Sequence, residues 1–267
     1  ALNTVVSIFS FVLGAMVGSF LNVCIYRIPR GLSIVRPRSK CPKCDSPIAW
    51  QDNVPIASWL VLGAKCRHCG QPISWLYPVV EAITGLLFFL VFWRFGLTLA
   101  APVYMVLAAA LVLVTFVDLT DWTIPDEVSI PGIFVGIIVA VVGMFVGAES
   151  GLMVTNVFDA MGGAALGAAI LYGLDKISLL VLKKPGMGLG DVKLIAMLGA
   201  FFGIWGVGLV IMIAAVLGSI VGVIMVLLQK RKGVEEESHY LPFGPYLSLA
   251  GIIVMFFGEE IVKWYIS

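Results

Sequence analysis

Residues 194–228 read LIAMLGAFFGIWGVGLVIMIAAVLGSIVGVIMVLL, without one charged side chain. A helix needs about 20 mainly apolar residues to cross roughly 30 Å of hydrocarbon. The run is too long for one crossing, and Gly203-Ile204-Trp205-Gly206 inside it offers a place to turn. Outward from this stretch, apolar segments recur at 4–26, 77–93, 99–117, 128–147, 156–181 and 241–264, with the long run divided into 194–205 and 207–228. The pattern predicts an all-α fold: a polytopic membrane helix bundle of about eight spans.

Composition agrees. Hydrophobic residues make up 60% of the chain and charged residues 12%, whereas soluble proteins carry about 25% charged residues. A mean hydropathy of +1.05 excludes the ordinary soluble class. The net charge of +1 provides no basic field of the kind nucleic acid attracts, so nucleic acid is not an expected partner. No internal repeat is apparent, and Glu235-Glu236-Glu237 reads as a solvated loop patch.

Charge placement sets the expected orientation. The apolar run Val5 to Tyr26 is too long for the core of a signal peptide, and its basic residues follow it, so it reads as a retained first span with its N-terminus outside. That threading puts Arg27–Trp75, Asp118–Glu127, Lys183–Lys193 and Gln229–His239 in the cytoplasm. Of the 17 Lys and Arg, only Arg94 and Lys263 then fall near the opposite face, with Lys176 toward the inner end of the fifth span. Basic residues accumulate on the cytoplasmic side of membrane proteins. The expected organisation is a first span (1–26), a small cytoplasmic zinc-binding loop domain (27–76) and a transmembrane bundle (77–267).

The loop carries Cys41-Pro42-Lys43-Cys44 and Cys66-Arg67-His68-Cys69, two C-x-x-C knuckles separated by 21 residues. Each knuckle turns two thiolates toward one tetrahedral Zn²⁺. In a reducing compartment the alternative, paired disulfides, is disfavoured. Four thiolates leave no open coordination position for water, so this zinc is expected to be structural. Cys24, within the first span, reads as a small packing residue.

Carboxylates at membrane depth are expensive and tend to be functional. Asp118 ends the third span, and Asp191 follows Gly186-Met187-Gly188-Leu189-Gly190 just before the sixth. The glycines permit positive φ and close backbone approach. Two carboxylates near enough to share a proton can divide the work of an aspartyl protease, the ionised one activating water and the protonated one polarising a carbonyl. The two lie 73 residues apart in sequence. In the structural alternative, both aspartates cap helices or pair with Lys193 or Lys184. Asp121, Asp126, Asp159 and Asp175 are further carboxylates; Asp126 stands at the expected N-cap of the fourth span, and Asp175 could pair with Lys176 or Lys184. The two histidines, His68 and His239, are isolated in loops.

At these residues the chain resembles the type 4 prepilin peptidases, a family of bifunctional leader peptidases and N-methyltransferases. Gly18-Ser19-Phe20-Leu21-Asn22-Val23 with Tyr26-Arg27-Ile28-Pro29 resembles the family's first-span signature, and the cysteine loop matches in spacing. Tyr77-Pro78-Val79-Val80-Glu81-Ala82-Ile83-Thr84-Gly85 resembles its second-span motif. The segment Asp118 to Asp126 resembles the one bearing the first catalytic aspartate, although Thr120 stands where many members carry an acid. Gly188-Leu189-Gly190-Asp191 resembles the G-x-G-D motif bearing the second, and Pro242-Phe243-Gly244-Pro245 the last-span signature.

The resemblance implies cleavage after a glycine in the leaders of type IV prepilins or type II secretion pseudopilins, at the cytoplasmic face of the bacterial inner membrane. It implies Asp118 and Asp191 as catalytic, with Gly188, Gly190, Asp126 and Lys193 supporting them. The new N-terminus would then be methylated from S-adenosylmethionine, with Glu81 and the cysteine loop expected near that site. The Arg27–Lys43 segment is expected to meet anionic lipid. Two rival expectations are an ion-coupled transporter using interfacial carboxylates and a zinc protein whose loop recruits partners.

Overall fold

The structure is a computed structural model, and it describes residues 2–183, 186–232 and 242–266. Lys184, the Glu235-Glu236-Glu237 patch and His239 lie outside the described residues. The described elements are helical: α1 (Leu2–Arg27), α2 (Ala57–Val61), α3 (Leu76–Phe95), α4 (Ala100–Asp121), α5 (Asp126–Val146), α6 (Val157–Leu182), α7 (Leu189–Lys232) and α8 (Gly244–Ile266), with three short 3₁₀ turns. Seven of the helices are long and apolar enough to cross a membrane. Apolar residues surround these helices rather than forming one stripe, as expected when lipid is the solvent. Trp93, Trp205 and Trp264, near ends of apolar segments, are 72–80% exposed, matching the aromatic belts that sit at headgroup level. The chain is a multi-pass membrane protein.

Two compact units divide the chain, Ala1–Leu113 and Val114–Ser267. In the first, α1 packs along α3. Gly18 makes this possible: a Cβ there would stand 2.7 Å from Glu81 Cα, so any side chain would force the helices apart. Asn22 Nδ2 donates to the Tyr77 carbonyl at 3.1 Å across the same contact. Cys24, 3% exposed, is packed within α1 as expected.

In the second unit, α6 and α8 both pack on α7, and α5 joins them. Helix α7 contains the uncharged apolar run 194–228. Gly203 breaks it, with φ +70 and ψ −170, a conformation that glycine adopts without a Cβ clash. A Cβ at Gly167 of α6 would touch both the Ile195 carbonyl (3.1 Å) and Val207 Cγ2 (2.8 Å). Twelve residues of straight helix span about 18 Å, so both contacts require α7 to fold back at Gly203. Its two arms correspond to the two expected segments, but the first, residues 189–202, is only about 21 Å long, so the described residues give seven helices long enough to cross where about eight spans are expected. Ile204, the first residue beyond the break, donates its N–H to Asp159 Oδ1 at 3.0 Å. Asp159 thereby caps the second arm from α6, where a free helix end would otherwise leave amides unpaired.

Candidate active site

The segment Asp118–Asp126 links α4 to α5, and the Gly186–Asp191 segment leads into α7. Pro242 and Phe243 precede α8. These three segments of the second unit line one cavity of about 450 Å³. Asp118 and Asp191 both open onto it, with Trp122, Ile124, Met187 and Phe243 among its apolar walls. The carboxylates are 5% and 8% exposed.

Each carboxylate is held by a backbone amide at a helix start. Gly244, the first residue of α8, donates its N–H to Asp118 Oδ2 at 3.0 Å. A Cβ at Gly244 would lie 2.6 Å from that oxygen, so the glycine admits the carboxylate to the helix end. Asp191 lies in the first turn of α7 and reaches back, its Oδ2 accepting from the Gly188 N–H at 3.1 Å while its own N–H donates to the Gly188 carbonyl. This is the N3 half of a capping box: the Asp191 carboxylate returns to the Gly188 amide, and Gly188 has no side chain to complete the box. The helix-capping alternative therefore holds for both aspartates, and it is compatible with chemistry. A helix N-terminus presents a partial positive charge that favours an ionised carboxylate.

Several expectations change. Lys193 does not pair with Asp191; its Nζ reaches both oxygens of Asp126 at 2.7 Å. Asp126 is not an N-cap, because Pro125 occupies that position and Asp126 begins the helix. The glycines before Asp191 are not among the positive-φ residues. At Gly190 the role is close approach: a Cβ there would sit 2.9 Å from Ile124 Cβ, in the Asp118–Asp126 segment. A Cβ at Gly188 would meet Asp191 Oδ2 at 3.4 Å, an ordinary contact. Asp121, half-buried, accepts from the Thr120 hydroxyl at 3.0 Å and does not line the cavity. Gly244 was not singled out from sequence, although it sits in the quoted Pro242–Pro245 motif.

The first unit contains the cysteine cluster. The Sγ atoms of Cys41, Cys44, Cys66 and Cys69 all lie within 4.8 Å of one another. A tetrahedral site with metal–sulfur bonds of about 2.3 Å has edges of roughly 3.8 Å, and Cys41 and Cys69 are 3.9 Å apart. That separation is about twice a disulfide bond, and all five cysteines are free thiols. Hydrogen bonds from Ser46, side chain and then backbone, bring the Cys44 thiol down to about 6. At Cys69 a bond from Gln71 favours the thiolate, but burial and the neighbouring sulfurs prevail and push it up to about 11. Thiols this close resist joint ionisation unless a cation compensates, so the donor set and its spacing fit a metal ion.

The two knuckles are built alike, which corrects the expectation of no repeat. Lys40-Cys41-Pro42-Lys43-Cys44-Asp45-Ser46-Pro47-Ile48-Ala49-Trp50 and Lys65-Cys66-Arg67-His68-Cys69-Gly70-Gln71-Pro72-Ile73-Ser74-Trp75 share the frame K-C-x-x-C-x-x-P-I-x-W. Each forms a bridge from its lysine to its proline, Lys40 with Pro47 and Lys65 with Pro72. Each also places a left-handed residue after its second cysteine, Asp45 (φ +56) and Gly70 (φ +67). The repeat was legible in the sequence, but at eleven residues it is shorter than the repeats that build whole folds.

Glu81 is 7% exposed on α3, and its Oε2 accepts the Ile56 N–H at 2.7 Å. Ile56 adopts φ +61 and ψ −52, outside the regions a β-branched residue favours. A buried carboxylate thus holds the cysteine loop to the helix pair.

Comparison with known proteins follows this division of the chain. Residues 12–95 match the bacterial Peptidase A24 N-terminal domain, and residues 105–223 match the type IV leader peptidase family. A prepilin leader peptidase/N-methyltransferase of Myxococcus xanthus is 42% identical over 87% of this chain and 67% of its own length. Proteins of the same description from Stutzerimonas stutzeri and Pseudomonas aeruginosa are 34% and 35% identical; each match covers 97% of this chain, and 93% and 92% of those proteins. No solved structure matches. With aspartate-bearing segments gathered in one unit, a four-cysteine loop in the other and relatives matched over most of their length, the chain belongs to the type IV leader peptidase family.

Proposed function

We propose that the protein removes the leader peptides of type IV prepilins or type II secretion pseudopilins and then methylates the new N-terminus. One observation carries the proteolytic reading: two buried carboxylates from distant segments, each held by a helix-start amide, line the same cavity. The relatives' description as peptidases supports it over an ion-coupled transporter. In this reading Asp118 and Asp191 share one proton, because two carboxylates facing the same apolar-walled cavity resist joint ionisation. The ionised one takes a proton from water as that water attacks the scissile carbonyl. The protonated one donates to the carbonyl oxygen; as the C–N bond breaks, the proton gained by the first passes to the leaving amine and a hydroxyl of the gem-diol returns a proton to the second. Gly190 and Gly244 keep the walls close, Gly188 supplies the amide that holds Asp191, and the Lys193–Asp126 pair braces α7 against the start of α5.

Zinc is the metal best suited to the four thiolates of Cys41, Cys44, Cys66 and Cys69; bound there, it closes the loop and supplies no reactive position. S-adenosylmethionine is the methyl donor, and the loop with Glu81 is the region assigned to methyl transfer, on the strength of that carboxylate's burial beside the loop. Residues 1–26, 27–76 and 77–267 serve as first span, zinc loop and protease bundle. The excess of basic residues orients the N-terminus outward and the cavity toward the cytoplasm of the bacterial inner membrane, where the Arg27–Lys43 segment meets anionic lipid.

The experiment is cleavage of a model prepilin by the full chain in detergent. Asp118→Asn and Asp191→Asn each abolish the shortened product; wild-type cleavage by either variant would refute the dyad. Glu81→Gln that methylates as well as wild type would remove that residue's assignment.

A further inference from the structure

We propose that Asp175 is a positioning residue that holds Asp191 in place through the loop between them. The inference rests on the reading of Asp191 as a proteolytic carboxylate. Asp175 lies on α6, near the end that faces the start of α7, and its side chain is 14% exposed. Its Oδ1 accepts two backbone hydrogen bonds, from Gly186 N–H at 3.1 Å and Met187 N–H at 3.3 Å. The next amide, Gly188 N–H, donates to Asp191 Oδ2 at 3.1 Å. Three consecutive amides are thereby divided between two carboxylates: two fasten the loop to α6, and the third fastens Asp191 to the loop.

Of the two lysines expected near Asp175, the one within the described residues, Lys176, is a weak partner. Lys176 Nζ stands 4.0 Å from Oδ2 and is about half exposed, a geometry that contributes little in high dielectric. Oδ1 is the atom with the short-range work, and it acts as an acceptor. The loop needs such a fastening because Gly186 and Gly188 leave its backbone with unusual freedom. Gly186 also lies flat on α6, where a Cβ would meet Ser178 Cβ at 2.7 Å. Asp175 and Ser178 are three residues apart and so share one helix face. A reacting carboxylate displaced by about 1 Å can lose on the order of a hundredfold in rate. Loosening the loop therefore reaches the chemistry without touching substrate.

The test uses the full chain in detergent, a model prepilin, and both kinetics and hydrogen exchange. Asp175→Ala lowers kcat about tenfold with KM little changed, because the loss falls on geometry rather than binding. Asp175→Asn keeps most of the rate, since its amide oxygen can accept the same two N–H groups. The peptide spanning 186–191 exchanges faster in Asp175→Ala than in wild type. Should Asp175→Ala fail to purify, Asp175→Ser, too short to reach both amides, takes its place with the same expected outcome. Wild-type kcat in Asp175→Ala, an Asp175→Asn as impaired as the alanine variant, or unchanged exchange at 186–191 would each overturn the inference. Asp191→Asn run in parallel separates the two readings: if it cleaves normally, the dyad fails, while exchange at 186–191 still decides whether Asp175 fastens the loop.

Discussion

The carboxylate cavity and the cysteine cluster gather reactive groups by opposite means. Asp118 and Asp191 arrive from segments separated by whole membrane spans, and each is held by an amide that a helix start leaves unpaired. The four thiols arrive on two turns of one loop, and each turn is closed by its own backbone bonds, Cys41 N–H to Ser46 and Cys66 N–H to Gln71. The cavity depends on helices packing at the right depth, while the cluster depends on two short turns and a cation to offset negative charge. Damage to one site should therefore leave the other largely intact.

The largest expected effect is on the dyad itself. Asp118→Asn or Asp191→Asn lowers prepilin cleavage at least about a thousandfold, while metal content, read by elemental analysis, stays at the wild-type level. Loss of metal in those variants would break the contrast. Next comes the helix start at Gly244. Gly244→Ala puts a methyl group 2.6 Å from Asp118 Oδ2, and cleavage falls roughly ten- to a hundredfold. Gly218→Ala serves as its control, because the nearest atom to a Cβ there is 3.4 Å away. Equal cleavage rates in these two variants would show that contact at Asp118 does not matter.

Cys66→Ser strikes the other region. Bound zinc falls from about one per chain toward none, with methyl transfer falling more than cleavage, because the three thiolates that remain, Cys41, Cys44 and Cys69, bind a metal far less tightly than four. An equal loss of both activities would mean that the loop also supports the cavity. The smallest effect is at the tie between Arg67 of the second knuckle and Asp52, whose oxygens it meets at 2.6 and 2.8 Å. The Arg67 hydrogen bond holds the Asp52 carboxyl below its ordinary value of 3.8. A carboxylate lowered in this way contributes its tie fully above the ordinary value and loses it as pH falls through the lowered one. Arg67→Lys gives up the two-pronged fit and speeds zinc loss to a chelator about two- to threefold, by the same factor at pH 6 and pH 8. A factor that changed between those values would implicate a group other than Asp52.

Much of this was readable residue by residue. The spans follow from length and hydropathy, the break at Gly203 from a glycine pair inside a run too long for one crossing, and the thiol cluster from C-x-x-C spacing. The Lys40–Trp50 and Lys65–Trp75 repeat was equally present in the letters but is easily passed over, since proline, tryptophan and cysteine are scattered through it. Lys193 choosing Asp126 over Asp191 was not readable. Asp191 is two residues from Lys193, a spacing at which helical side chains do not face each other, and only the packing of α7 beside the start of α5 brings Asp126 to 2.7 Å.

By itself the sequence determined a multi-pass helical chain with four clustered thiols and two boundary aspartates, because hydrocarbon thickness and metal geometry act over short stretches of chain. Only the tertiary structure decided that Asp118 meets the start of α8, that the Asp191 carboxylate turns back to the Gly188 amide, and that Asp175 fastens the loop between α6 and α7. Those pairings depend on how helix ends are brought to one depth, and glycine-sized clearances set them across separations that no local spacing encodes.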